Sequence, residues 1–144
     1  FDHPLNNKLK KHLNELGMMK NWKNYGRISQ KELGAMYQRC QLCYLPTLLE
    51  VFSASTVEAM YFNLPIVATN FSFNTEVLAD SSLYYEPKNA KAAAQQLAKL
   101  IADKALQEEM KEKMKIQLAK YGDYDKHFNA IKAFLLEVAN VSNN

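Results

Sequence analysis

Glu50 and Glu58 stand eight positions apart, with seven residues between them, at the point where an apolar run, 42–45, stops at Pro46 and a helical pattern begins near Ala54. A carboxylate can accept hydrogen bonds from both hydroxyls of a sugar or ribose diol, because its two oxygens are acceptors only. A helix that starts just beyond a strand also points unpaired backbone N–H groups, here those of Phe52, Ser53 and Ala54, into the crevice at the strand end. Those donors, with the helix dipole and the hydroxyls of Ser55 and Thr56, suit a phosphate. The spacing alone leaves a second reading open, in which Glu58 near a helix start only balances the dipole.

Other chemistries fit the sequence less well. Cys40 and Cys43 form a lone C-x-x-C, and His3, His12 and His127 have no paired spacing, so a four-ligand zinc site is not expected. Cys43 lies inside an apolar run and reads as packing, and two free thiols suit a reducing cytoplasm. The three histidines read as surface residues. The sequence contains no Gly-x-Gly-x-x-Gly and no Gly-x-x-x-x-Gly-Lys-Ser/Thr phosphate loop. The net charge is +3, yet residues 41–86 carry no Lys or Arg and five acids. A nucleic-acid face needs clustered cations beside the reading surface, and the gap reads as a buried sheet and its short loops lacking long cationic side chains. No apolar run approaches the ~20 residues of a membrane span, and no signal peptide is visible.

The elements that must position the two acids alternate between helical and strand patterns, which predicts an α/β fold: a Rossmann-like parallel sheet with helices on both faces and a helical C-terminus. Leu5, Leu9, Leu13 and Leu16 predict a first helix ended by Gly17. A short strand is expected over 22–25, ending at Gly26. Ser29 and Glu32 have capping-box spacing and start a helix to about Cys40. Strands follow at 42–45, 65–69 and 83–85, with a helix from Ala54 to about Phe62 broken at Asn63 and Pro65, and a helical turn at 75–78. Asn89 and Asp103 are expected to cap two helices. After Gly122 a last helix should turn Phe128, Ile131, Phe134, Leu135 and Val138 inward, with 141–144 frayed. Trp22, Tyr84 and Tyr85 read as sheet packing.

At Glu50 and Glu58 the sequence resembles the retaining glycosyltransferases of family 4 (glycosyl transferases group 1) in their Glu-x7-Glu motif. The likeness continues in order: Gly26, Arg27 and Ile28 before the capped helix; Leu45, Pro46 and Thr47 before Glu50; then Ala59 and Met60, the run 64–70, Glu76 to Leu78, and 83–87. It covers roughly residues 5–120. The resemblance implies the C-terminal, donor-binding domain of the GT-B fold, one domain over 1–144. The first strand, its phosphate loop and the N-terminal acceptor domain would then lie outside the chain, leaving the fragment inactive alone.

The resemblance further implies a role for each matched residue. Glu50 contacts the transferred sugar beside the reacting centre, and Glu58 holds the ribose hydroxyls. Phe52, Ser53 and Ala54 offer main-chain N–H groups to the sugar or diphosphate, with Thr56 beside the phosphate. The backbone at Arg27 and Ile28 lines the nucleobase pocket. The substrate is a nucleotide-diphosphate sugar, with no cofactor and no metal, and the acceptor is a glycan or a lipid-linked molecule, as in polysaccharide biosynthesis. No nucleic-acid partner is implied. The protein would be cytoplasmic, with possible peripheral contact at the inner membrane face. Two departures stand out: Val51 replaces the family's glycine after the first glutamate, and the basic pair that holds the diphosphate has no counterpart in 41–86. The alternative is a degenerate, non-catalytic nucleotide- or partner-binding module.

Overall fold

The computed structural model describes residues 4–121 and 124–141. They fall into two compact units that divide in sequence between Met36 and Tyr37. The first holds α1 (Pro4–Glu15), a 3-10 turn (Met19–Asn21) and most of α2 (Gln30–Gln38). Gly17, at φ +66°, ends α1. The amides of Gly17 and Met18 turn back onto the carbonyls of Asn14 and Leu13 at 3.0 and 2.8 Å, a Schellman closure that a residue with Cβ would strain. The strand expected at 22–25 does not form, and this stretch has no ladder partner among the described residues. Its apolar residues are interrupted by Lys23 and Asn24, so it offers no continuous face to bury.

At the start of α2 the capping box is present in altered form. The Glu32 carboxylate accepts from both the amide (3.3 Å) and the hydroxyl (2.6 Å) of Ser29. Those two bonds hold the carboxyl of Glu32 below its ordinary value.

The second unit is an α/β layer structure. Its sheet has the order β1 (Cys43–Leu45), β2 (Ile66–Thr69), β3 (Ser82–Tyr85), all parallel, with Tyr44 opposite Val67 and Thr69 opposite Tyr85. The crossovers are α3 (Ala54–Tyr61) and α4 (Ser72–Leu78), and α5 (Ala90–Ala102), α6 (Lys104–Leu118), a 3-10 turn (Ala119–Tyr121) and α7 (Tyr124–Val141) follow.

Strand alternation explains the layering. Ile66 and Ala68 face one way, into a core with Ala59 and Met60 of α3, Val77 and Leu78 of α4, and Met114 of α6. Val67 faces the other way, with Tyr85, Ala93 and Leu100 of α5, and Met110 of α6. All four β2 residues are buried, as a central parallel strand requires. Each large apolar side chain so buried contributes roughly 1.5–3 kcal/mol. Cys43 packs against the first core, and burial, then the nearby Cys40, pushes its thiol up to about 11. Cys40 and Cys43 form no disulfide.

Helix ends follow the expected chemistry. Asn63, at φ 56°, closes α3, with the amides of Asn63 and Leu64 on the carbonyls of Met60 and Ala59 at 3.0 Å. Asn89 accepts from the amide of Ala92 at 3.0 Å and Asp103 from that of Leu106 at 2.9 Å.

The last helix departs from expectation. Phe128, Ile131, Phe134, Leu135 and Val138 are all exposed, not inward. Its apolar stripe is real, but the helical period gives a face without naming what covers it. His3, 122–123 and 142–144 lie outside the described residues, as does the side chain of His127; His12, on α1, is exposed.

Candidate donor-binding site

In a parallel sheet each strand is followed by a helix that begins at the strand's carboxyl end, so α3, α4 and α5 all open at the same edge. They differ in how they open. The amide of α5's third residue is taken by Asn89, whereas Ser53, the residue preceding α3, makes no side-chain capping bond. The amide of Thr56, α3's third residue, turns back onto the Ser53 carbonyl at 3.1 Å, so it is the amides ahead of it that no side chain caps.

The loop 46–53 delivers the chain to that end. Thr47 anchors it: its carbonyl accepts from the buried hydroxyl of Thr69 at 2.7 Å. Asn74, also buried, donates to the carbonyl and hydroxyl oxygens of Thr69 at 2.9 and 3.0 Å. Beyond Thr47 the loop stands away from the protein, with Leu49 90% and Val51 94% exposed. Glu50 is exposed, and its carboxylate accepts from the amide of Val51 at 3.2 Å. Val51 is not among the residues with positive φ, so this conformation does not require the glycine it replaces. Phe52 turns its ring toward Tyr121, 6.4 Å between centroids.

Ser53, just before α3, is half-buried, and Ala54, its first residue, is exposed. The side chain of Thr56 is 1% exposed, and its hydroxyl, enclosed by protein, has no protein partner. Glu58 is half-buried and held from outside the helix, its Oε2 accepting from the phenol of Tyr37 at 2.9 Å. Tyr37 also stacks on Phe62 at 5.1 Å and 10° between ring planes. Burial first, then the bond to Glu58, drives the phenol's pKa well above its ordinary value. Glu58 lines a cavity of about 490 Å³ with Val57, Tyr61, Phe62, Leu118 and Tyr121.

Arg27 and Ile28 belong to the first unit, where Gly26 turns the chain at φ +64° and its amide meets Asn24 Oδ1 at 2.8 Å. Gly26 and Arg27 line a cavity of about 470 Å³ there, with Asn6 and Asn24. Sequence reasoning missed Tyr37 and Tyr121, which touch the candidate residues. Tyr37 lies one turn beyond Leu33 and reads from sequence as core.

A family model for glycosyl transferases group 1 matches residues 2–117. The chain belongs to that family. Its fold is shared with solved structures. Sucrose-phosphate synthase from Thermosynechococcus elongatus superposes with a TM-score of 0.85 at 16% identity over 98% of this chain. The C-terminal domain of a glycosyl transferase group 1 family protein (LpcC) from Francisella tularensis gives 0.73 at 21% over 83%. A glycosyltransferase from Rickettsia africae ESF-5 gives 0.64 at 19% over 83%. The chain spans 36%, 63% and 35% of those three proteins. No curated protein matches it in sequence. The group 1 glycosyltransferase domain thus has a Rossmann-like parallel sheet with helices on both faces, as expected. Among the described residues no helix is long and apolar enough to cross a membrane.

Proposed function

We propose that this domain binds a nucleotide-diphosphate sugar at the carboxyl edge of its sheet and serves transfer of the sugar, with retention, to a glycan or lipid-linked acceptor. The observation that carries the reading is the start of α3: uncapped amides at the strand edge, with Glu58 one turn further along. In this arrangement the diphosphate takes the amides at 52–54, where the helix dipole favours negative charge. Thr56 contributes to the wall behind it, since its hydroxyl is enclosed. Glu58 accepts the ribose hydroxyls.

Glu50 lies beside the transferred sugar. The reaction breaks the bond from the anomeric carbon to the diphosphate oxygen, which keeps the electron pair. The acceptor oxygen bonds to that carbon, and its proton leaves with the diphosphate. A metal is not invoked in this scheme. The acceptor is taken to be presented by a domain outside this chain, and the same holds for the basic groups that 41–86 lack.

The test is calorimetric titration of the full-length protein with uridine, guanosine and adenosine diphosphate sugars, with and without Glu58→Ala. A hydrogen bond to a charged acceptor contributes on the order of 1.5–3 kcal/mol, so the variant should bind the preferred donor about 10- to 150-fold more weakly. Unaltered binding by the variant, with its melting temperature preserved, would remove Glu58 from the site.

A further inference from the structure

Glu58 is not left to find its own orientation. Tyr37 lies along one side of α3 and touches Glu58 on it and Phe62 just past its end. Its ring stacks on Phe62 at 5.1 Å and its hydroxyl donates to Glu58 Oε2 at 2.9 Å. Glu58 and Phe62 are four residues apart, which puts them on one side of the helix. The ring is fixed by packing against the first core, so the hydroxyl is delivered to one place. A glutamate has three side-chain torsions to immobilise, and a donor already in position removes that entropy before a ligand arrives.

We propose that Tyr37 is the positioning residue for Glu58: its phenol takes one acceptor site of Oε2 and so leaves Oε1 the less engaged oxygen for a ligand hydroxyl. Tyr37 itself does not touch the ligand. The arrangement also sets what Glu58 can read. With one oxygen engaged, the carboxylate takes one ribose hydroxyl strongly and not both equally, so recognition is asymmetric between the 2′ and 3′ positions. Sequence spacing alone would have given Glu58 both hydroxyls of the diol. The inference rests on the proposed ribose role of Glu58, and the experiment separates the two.

The full-length protein, Tyr37→Phe and Glu58→Ala are titrated with uridine, guanosine and adenosine diphosphates and with their 2′-deoxy and 3′-deoxy forms. Phenylalanine keeps the stack on Phe62 and the packing, and a preserved melting temperature verifies this. The wild-type protein should distinguish the two deoxy forms by about threefold or more. Tyr37→Phe should bind the ribose form about three- to tenfold more weakly and bring the two deoxy forms within twofold of each other, as one lost hydrogen bond of about 0.7–1.4 kcal/mol would give. A merely structural tyrosine would lower all affinities together and leave their ratios unchanged. Unchanged ratios in Tyr37→Phe, with Glu58→Ala abolishing all preference for the ribose, would overturn the positioning role while sparing the ribose role. Ratios that survive Glu58→Ala, or no binding by any of these nucleotides, would overturn both.

Discussion

The two glutamates that open the sequence argument live in opposite surroundings. Glu58 sits on a helix whose next two residues, Ala59 and Met60, are in the core, and a tyrosine from another helix grips its carboxylate. Glu50 sits on a loop whose neighbours on both sides are more than nine-tenths or about nine-tenths exposed, and its carboxylate meets the adjacent amide of Val51. One acid is pre-organised by the fold, and the other is left to be ordered by what binds. That division suits a site in which a nucleotide is held first and the sugar is enclosed afterwards, since ordering Glu50 must draw on binding free energy.

The contrast makes different demands on each residue. For Glu50, the largest effect belongs to turnover. Glu50→Gln in the full-length protein should lower kcat about 100- to 1,000-fold, the range seen when one group aimed at a reacting centre is lost. Donor affinity should change little, because the loop is not pre-formed. Steady-state kinetics with separate calorimetry check this, and a weakened affinity with normal kcat would reverse the assignments of the two acids.

A smaller effect separates two of the three helix starts at the same sheet edge, since α4, like α3, has no side-chain cap. Asn89→Ala removes the cap of α5 and should lower unfolding free energy by about 1 kcal/mol in urea. Ser53→Ala, at a position that makes no side-chain cap, should stay within about 0.5 kcal/mol of wild type. Equal losses in the two variants would mean that α3 is capped after all, and that its amides are not reserved for a ligand.

Much of the scaffold was legible in the sequence because its rules are local. Pro46 and Pro65 bracket strand and helix, Asn89 and Asp103 cap the helices they precede, and Asn63 adopts the left-handed turn that ends α3. The apolar run 65–69 became the fully buried central strand. What failed needed partners that periodicity does not specify. The stretch 22–25 has strand-like residues and no neighbour to pair with among the described residues. In α7, Phe134 and Leu135 carry a helical stripe that remains open to solvent.

The site was legible in part. The start of α3 follows from the break at Pro46 and the helical pattern after it, whereas Glu50 and Glu58 are singled out by the family resemblance, with which the family match agrees. Tyr37 was not legible, because it lies 21 residues before its partner and reaches it through tertiary packing. Thr56, read as a phosphate neighbour, turned out to have an enclosed hydroxyl, since its position on α3 faces the core.

The central claim is that nucleotide diphosphate is bound where α3 begins. Amide NMR of the isotope-labelled protein during titration with the diphosphate identified by calorimetry tests it most directly. The largest shifts should fall on residues 52–54 and 58, with α5 beyond Asn89 and the exposed face of α7 undisturbed. Saturable shifts confined to other elements, with 52–58 silent, would contradict it.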